Sequence, residues 1–316
     1  MKNIVVIGEV LAEILADAPG MGFLEPIALT GPFPSGAPAI FADQAARMGH
    51  ASAVISAVGD DDFGRQALER LSRDGVDVSG VAIAPGHPTA TAFVRYRTDG
   101  ARDFIFNIRH SACGLPPDKA KAQPVLDRAG HLHVMGSSLS SPDLIAFNLA
   151  AARAVKARGG TVSFDPNLRK EMLASPGIGE AMEAVLGLAD LFLPSGDELF
   201  LFTRAKKPRQ AVDELFGRGV CAIVHKLGAE GVRHYDREGS QFVPAFDVEE
   251  IDPTGAGDCF GAAFTVLWLQ GAPTREALIM AAAAGAIAVG KRGPMEGTSS
   301  RSDLRAFLAA RGMENP

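Results

Sequence analysis

Asp252-Pro253-Thr254-Gly255-Ala256-Gly257-Asp258-Cys259-Phe260-Gly261 runs directly into the apolar stretch 262–269. Pro253 and the glycines forbid an early helix and permit backbone angles that other residues avoid, so the spacing predicts a helix beginning near Ala256. The first amides of such a helix lack intrahelical partners and share the positive end of the macrodipole, which makes the turn a place for an anion. Gly255, Ala256 and Gly257 supply those amides, and Asp258 stands beside them. A carboxylate there can accept a proton from an alcohol while the amides take up phosphate charge, the division of labour in phosphoryl transfer. Read alone, the string also fits a tight glycine turn with an ordinary first-turn helix acid.

Working outward, short β-rich runs at 4–7, 53–57, 132–134, 161–164, 191–193 and 222–224 each precede a turn and a helical pattern. Helices are expected over 37–48, 63–74, 141–158, 177–188, 208–217, 256–270 and 274–289. That alternation predicts an α/β fold with a mainly parallel central sheet and helices on both faces, where ligands gather at the carboxyl ends of the strands. Between Thr89 and Asn107 the period changes. Ala92, Val94 and Tyr96 alternate with Phe93, Arg95 and Arg97, and Asp99-Gly100 turns the chain into Asp103-Phe104-Ile105-Phe106, a β-hairpin pattern. With 9–15 and 27–33 it predicts a small β-sheet lid, its segments about 9–34 and 88–110, on a single domain covering 1–316. No repeat or linker divides the chain.

A hydrophobic share of 47% in 316 residues suffices for a large core, and the net charge of -6 with scattered Lys and Arg leaves no footprint for nucleic acid. Cys113, Cys221 and Cys259 show neither zinc nor disulfide spacing, which points to a reducing cytoplasm. The run 277–289 falls short of the roughly 20 apolar residues of a membrane span and reads as a buried helix. No membrane partner is expected. Arg292 stands where a P-loop would need Ser or Thr after Gly290-Lys291, and Gly8-Glu9-Val10 lacks the dinucleotide fingerprint. His131 and His133 alternate on a strand, a hydrogen-bonded core pattern rather than a metal pair.

The segment from Asp252 to Asp258, with Phe260-Gly261, closely resembles the C-terminal signature of the PfkB, or ribokinase-like, carbohydrate kinases. Five further strings fall in the family's order: Gly8-Glu9, Ser35-Gly36-Ala37-Pro38-Ala39, Val58-Gly59-Asp60-Asp61-Asp62-Phe63-Gly64, Asp165-Pro166-Asn167-Leu168-Arg169 and Leu227-Gly228-Ala229-Glu230-Gly231. The resemblance implies an ATP- and Mg2+-dependent sugar kinase of ribokinase-like fold, with Gly255, Ala256 and Gly257 as the anion hole and Asp258 as the base. It further implies Glu13, Gly36, Ala37, Arg97, Arg109, Asn167 and Arg169 on the sugar. Ser195, Lys226, Gly228 and Gly231 fall on the nucleotide side, Glu198 and Asp252 on the metal side, and K+ near Asp252 stays open, as does a homodimer through the lid.

Plainer roles compete at several positions: Lys226 as a solvated strand-end lysine, Asp197 and Glu198 as first-turn helix acids, and Arg109 as a solvent-facing residue. Three departures from the family pattern stand out: Ser35 for a glycine, Ile40 for a polar residue and Ser195 for an asparagine. Gly8-Glu9 with Glu13, and Asp165 to Arg169, are similar to the kinases of 2-keto-3-deoxygluconate. Fructokinases share the second string, and tagatose kinases fit as well. Two other classes remain on this fold, a nucleoside kinase and a catalytically silent sugar-binding regulator. The intact Asp258, Gly255 and Gly257 argue against the second, and a lid with few spare aromatics against the first.

Overall fold

A computed structural model describes residues 2–20, 23–98, 102–168 and 177–313. In chain order the strands and α-helices are β1 (Asn3–Ile7), β2 (Leu11–Ala16), β3 (Leu29–Ser35), α1 (Ala37–Arg47), β4 (Ser52–Val58), α2 (Asp62–Arg73), β5 (Asp77–Ile83), β6 (Ala90–Tyr96), β7 (Arg102–Asn107), α3 (Lys119–Asp127) and β8 (Ala129–Met135). They continue with α4 (Pro142–Ala157), β9 (Thr161–Asp165), α5 (Ile178–Leu186), β10 (Leu191–Phe192), α6 (Pro208–Gly217), β11 (Ala222–Lys226), β12 (Gly231–Tyr235), β13 (Ser240–Pro244), α7 (Ala256–Leu269), α8 (Thr274–Val289) and α9 (Arg301–Ala309).

The large sheet runs in the order β13-β12-β11-β10-β9-β8-β1-β4-β5. It is parallel from β11 to β5, while β12 and β13 add an antiparallel edge. Period-two alternation divides β1 between two cores: Ile4 and Val6 join α1, α2, α7, α8 and α9, whereas Val5 and Ile7 join α3, α4, α5 and α6. Strands covered on both faces must be apolar throughout, and Ile4, Val6 and Ile7 are fully buried.

The second sheet has the order β3-β2-β6-β7. Its hairpin strands are β6 and β7, and the Asp99-Gly100 turn expected between them lies outside the described residues. The expected helices all form, with ends shifted by a residue or two. α3, α9, β5 and the β12–β13 edge go beyond the sequence expectation. In α3 the interior Pro124 hides the helical signal, and β12–β13 break the βα alternation that the rest of the sheet follows. The alanine run in α8 packs on α7. A β-carbon on Gly285 would sit 3.4 Å from the Ala256 carbonyl oxygen, so small residues let the two helices approach.

Candidate active site

α7 starts where its glycines place it, and the two glycines answer different demands. Gly255 is the N-cap with φ 82°, in the left-handed region, and a β-carbon there would run into the Pro294 carbonyl oxygen. A β-carbon on Gly257 would meet only Lys226 Nζ, 3.9 Å away. The fold requires the first glycine. The fold does not require the second; its lack of a side chain leaves free the space that Lys226 also faces.

Asp258 sits in the first turn of α7, 7% exposed, and its Oδ1 accepts a bond from Asn167 Nδ2 at 3.2 Å. Beside it opens a cavity of about 530 Å³ between the strand ends and the small sheet. Glu9, Glu13, Ile40 and Asp258 line its inner side, and Phe104, Phe106 and Arg109 come from the β7 side. Glu13 is 3% exposed, and Ser35 Oγ donates to its Oε2 at 2.9 Å. The serine that replaces the family's glycine therefore fixes a carboxylate in the cavity wall. Gly36, φ 111°, packs its backbone on the Glu9 carbonyl, and Ala37 opens α1 beside it; both line the cavity. Arg109 is exposed and is the one cationic side chain on the cavity wall among the described residues.

Beside the start of α7 the structure overturns the solvated reading of Lys226. Its ammonium is buried against Asp165, which itself is 2% exposed. Burial opposes the lysine's charge, but Asp165 and Glu198 together outweigh burial and hold its pKa above the ordinary lysine range. Glu198 accepts from the amides of Leu168 at 2.8 Å and Ser195 at 2.7 Å. Burial first, then the nearby Asp165 charge, raises its pKa. The helix-acid reading of Glu198 is thus realised, because it caps the 3-10 turn Gly196–Phe200. Ser195 is exposed at that cap and pairs in a bridge with Lys226.

Gly228, φ 58°, is exposed with open space around it, so its left-handed backbone rather than crowding favours glycine there. Gly231 has another explanation. A β-carbon there would collide with the Val243 carbonyl oxygen, so the β12–β13 pairing demands this glycine. Asp252 is fully buried and accepts from the Thr254 amide at 2.9 Å and the Gly293 amide at 3.1 Å, bracing the loop that holds Gly255. Behind that loop Arg70 of α2 donates to the Met295 carbonyl at 2.7 Å and to Glu296 at 2.8 Å. It also lies 3.9 Å from the buried Asp43. From the small sheet, Arg102 Nη1 donates to Thr254 Oγ1 at 2.7 Å.

The structure does not bring Arg97 to the cavity wall; it is exposed just beyond β6. Arg169 lies outside the described residues. Asp165, Glu9, Phe104 and Phe106 are further site residues. The alternation of the hairpin puts Phe104 and Phe106 on one face and could have flagged them, and Asp165 could have been read as the acid that ends a strand before Pro166. No group of three metal-ligating side chains occurs among the described residues, and Glu198 is the candidate carboxylate for a magnesium ion. His131 and His133 both meet Ser163 Oγ, at 2.7 and 2.6 Å, the hydrogen-bonded core arrangement that their spacing predicts.

Comparison with known proteins places nearly the whole chain in a family. The chain is 33% identical over 320 residues to a 2-dehydro-3-deoxygluconokinase of Thermoproteus tenax, covering 98% of this chain and 95% of that protein. The provisionally named ribokinase II of Escherichia coli, solved with ATP and Mg2+, superposes with a TM-score of 0.92 at 42% identity, over 98% of this chain and 100% of the other. A double mutant of Vibrio cholerae fructokinase, solved with fructose, ADP and a potassium ion, gives a TM-score of 0.83 at 28% identity, over 98% of each chain. The model of the pfkB family carbohydrate kinases matches residues 1–301. With its ribokinase-like fold and this match along nearly its whole length, the chain belongs to the pfkB family of carbohydrate kinases, phosphotransferases that act on an alcohol group.

Proposed function

We propose that this kinase transfers the γ-phosphoryl group of ATP to a hydroxyl of a keto sugar acid of the 2-keto-3-deoxygluconate type, with Asp258 as the general base. The observation that carries the reading is the start of α7, where a buried carboxylate lines the cavity and the glycine beside it leaves space that Lys226 faces. The sugar hydroxyl meets Asp258, which Asn167 orients, and gives up its proton as the phosphoryl group arrives. The Gly257 amide and Lys226, which lies in front of it, take up the charge that develops on the phosphoryl oxygens, whereas the Ala256 amide already donates to the Pro253 carbonyl at 3.4 Å. Magnesium would neutralise the β- and γ-phosphate oxygens, with Glu198 holding its water; Asp252 is the candidate neighbour for potassium.

Arg109 supports the acid as substrate. Glu9, Glu13 and Asp258 crowd the inner wall with carboxylates, so an anionic substrate is best accommodated with its own carboxylate turned toward Arg109. The second reading is a ketohexokinase acting on fructose or tagatose. Glu9 and Glu13 favour it, since both accept hydrogen bonds from neutral sugar hydroxyls, and Ile40 offers no polar contact. A homodimer through the small sheet, where Leu29 and Ile105 are exposed, and a cytoplasmic setting complete the proposal. An ADP-release assay across 2-keto-3-deoxygluconate, fructose and tagatose tests it: the acid should give the highest kcat/KM, and a clear preference for either ketose transfers the assignment to the second reading.

A further inference from the structure

We propose that Asp165 is a positioning residue for phosphoryl transfer, holding Lys226 at the mouth of the α7 anion hole and Asn167 against Asp258. The inference rests on Asp258 being the base. Asp165 ends β9 at the carboxyl edge of the sheet, and Pro166 stops the strand there, so the carboxylate stays at the site's floor with 2% exposure. Each of its oxygens has a separate task. Oδ1 accepts the Asn167 amide at 3.1 Å, and Oδ2 takes the Lys226 ammonium.

Asn167 is the one non-glycine residue with positive φ among the described residues, at 39°. Asparagine tolerates left-handed backbone better than most side-chain-bearing residues because its short polar side chain can hydrogen-bond locally, and local bonds hold it here. The bond from its amide to Asp165 is one, and it aims Nδ2 at Asp258. On the other side, a lysine has three donors, so Lys226 can keep Asp165 with one and offer another to the phosphoryl oxygens. The position of its Nζ, 3.9 Å from where a Gly257 β-carbon would lie, puts it in front of the helix amides.

A buried ion pair contributes little to stability relative to an apolar pair of the same volume. This pair stands where its charge has a use. Without Asp165, the ammonium retains Glu198 and Asp258 as neighbouring anions, and pairing with Asp258 would occupy the atom that must accept the proton. The loss should therefore fall on turnover rather than on sugar binding.

Asp165→Asn keeps the side chain's shape and an acceptor for Asn167 but removes the charge that holds Lys226; Asp165→Ala removes both. Each should lower kcat about 100-fold, the scale of misplacing reacting groups by an ångström, with the sugar KM changed less than about threefold. Combining Asp165→Asn with Lys226→Met should cost no more than the worse single variant, because the two act as one unit. Should Asp165→Ala fail to fold, the near-isosteric asparagine variant decides. Wild-type kcat in Asp165→Asn, or a loss of activity that only follows a loss of folded protein on thermal melting, overturns the positioning role. Asp258→Asn measured alongside separates the two levels: its retention of turnover would sink the base itself, whereas its loss with an intact Asp165→Asn would sink only Asp165.

Discussion

The two walls of the cavity are built on opposite principles. The inner wall, which Glu9, Glu13 and Asp258 line, is backed at the ends of β9 and β11 by buried polar groups tied to one another and to backbone amides: Asp165 to Lys226, Glu198 to Leu168 and Ser195, Asn167 to Asp258. The outer wall, from β7 and the residues after it, offers Phe104 and Phe106 partly buried and Arg109 exposed. Preorganised dipoles act most strongly where they cannot relax, which suits the wall that meets the transferring phosphoryl group. Adaptable contacts suit the wall proposed to meet and select the sugar. Chemistry and selectivity should therefore respond to different substitutions.

The sharpest break between the walls is expected at Asp258. Asp258→Asn leaves the helix amides in place and should fold and bind ATP, yet lose about 100- to 10,000-fold in kcat, the usual contribution of a positioned base. Saturating steady-state kinetics measure it, and a variant retaining more than a third of the turnover would remove the base from the inner wall. On the outer wall the effect should be smaller and selective. Arg109→Ala should raise KM for 2-keto-3-deoxygluconate about tenfold, by loss of a charge-assisted carboxylate contact, and change KM for fructose far less. Equal changes for both sugars would erase the distinction between the walls at this residue.

The smallest effect belongs behind the inner wall. Burial, together with the negative charge of Asp74, pushes the Asp43 carboxyl up to about 7 against the opposing pull of Thr298 and Arg70. Its folded state thus favours the protonated form, and the unfolded chain ionises it above 3.8. Stability from this group is full below about pH 4, declines as pH rises toward 7 and stays reduced above that. Asp43→Asn should raise the melting temperature by about 3 °C at pH 8 and by less at pH 5, where the wild type has not yet lost all of this term. A gap of the same size at both pH values would mean that the inner wall carries no such electrostatic strain.

Much of this was legible in the sequence, because the features that specify the fold are local. Apolar runs and their turns located the parallel strands, and Pro253 with Gly255 located the start of α7. The period-two alternation of 92–97 located the hairpin, although it did not place Arg97 away from the cavity wall. What escaped depends on neighbours distant in the chain. Lys226 looks solvated until Asp165, 61 residues earlier, is brought beside it. Ser35 looks like a loss until its hydroxyl is seen on Glu13. Gly231 resembles a ligand loop, but the carbonyl of Val243 explains it. Pairing across a sheet is a tertiary property, and no window of sequence contains both partners.

The strand order also bears on how the protein comes into being. β1 lies between β4 and β8, so the middle of the large sheet cannot close until about residue 135 has been made. α7, which carries the proposed base, packs against α1, more than 200 residues earlier. Contacts so distant along the chain pay their loop-closure entropy before they return any stability, which slows folding and leaves early intermediates with incomplete cores. An emerging chain therefore carries Glu9, Glu13 and Asp165 long before the proposed phosphate-binding helix start exists, so the proposed phosphoryl transfer has to wait until the whole architecture has closed.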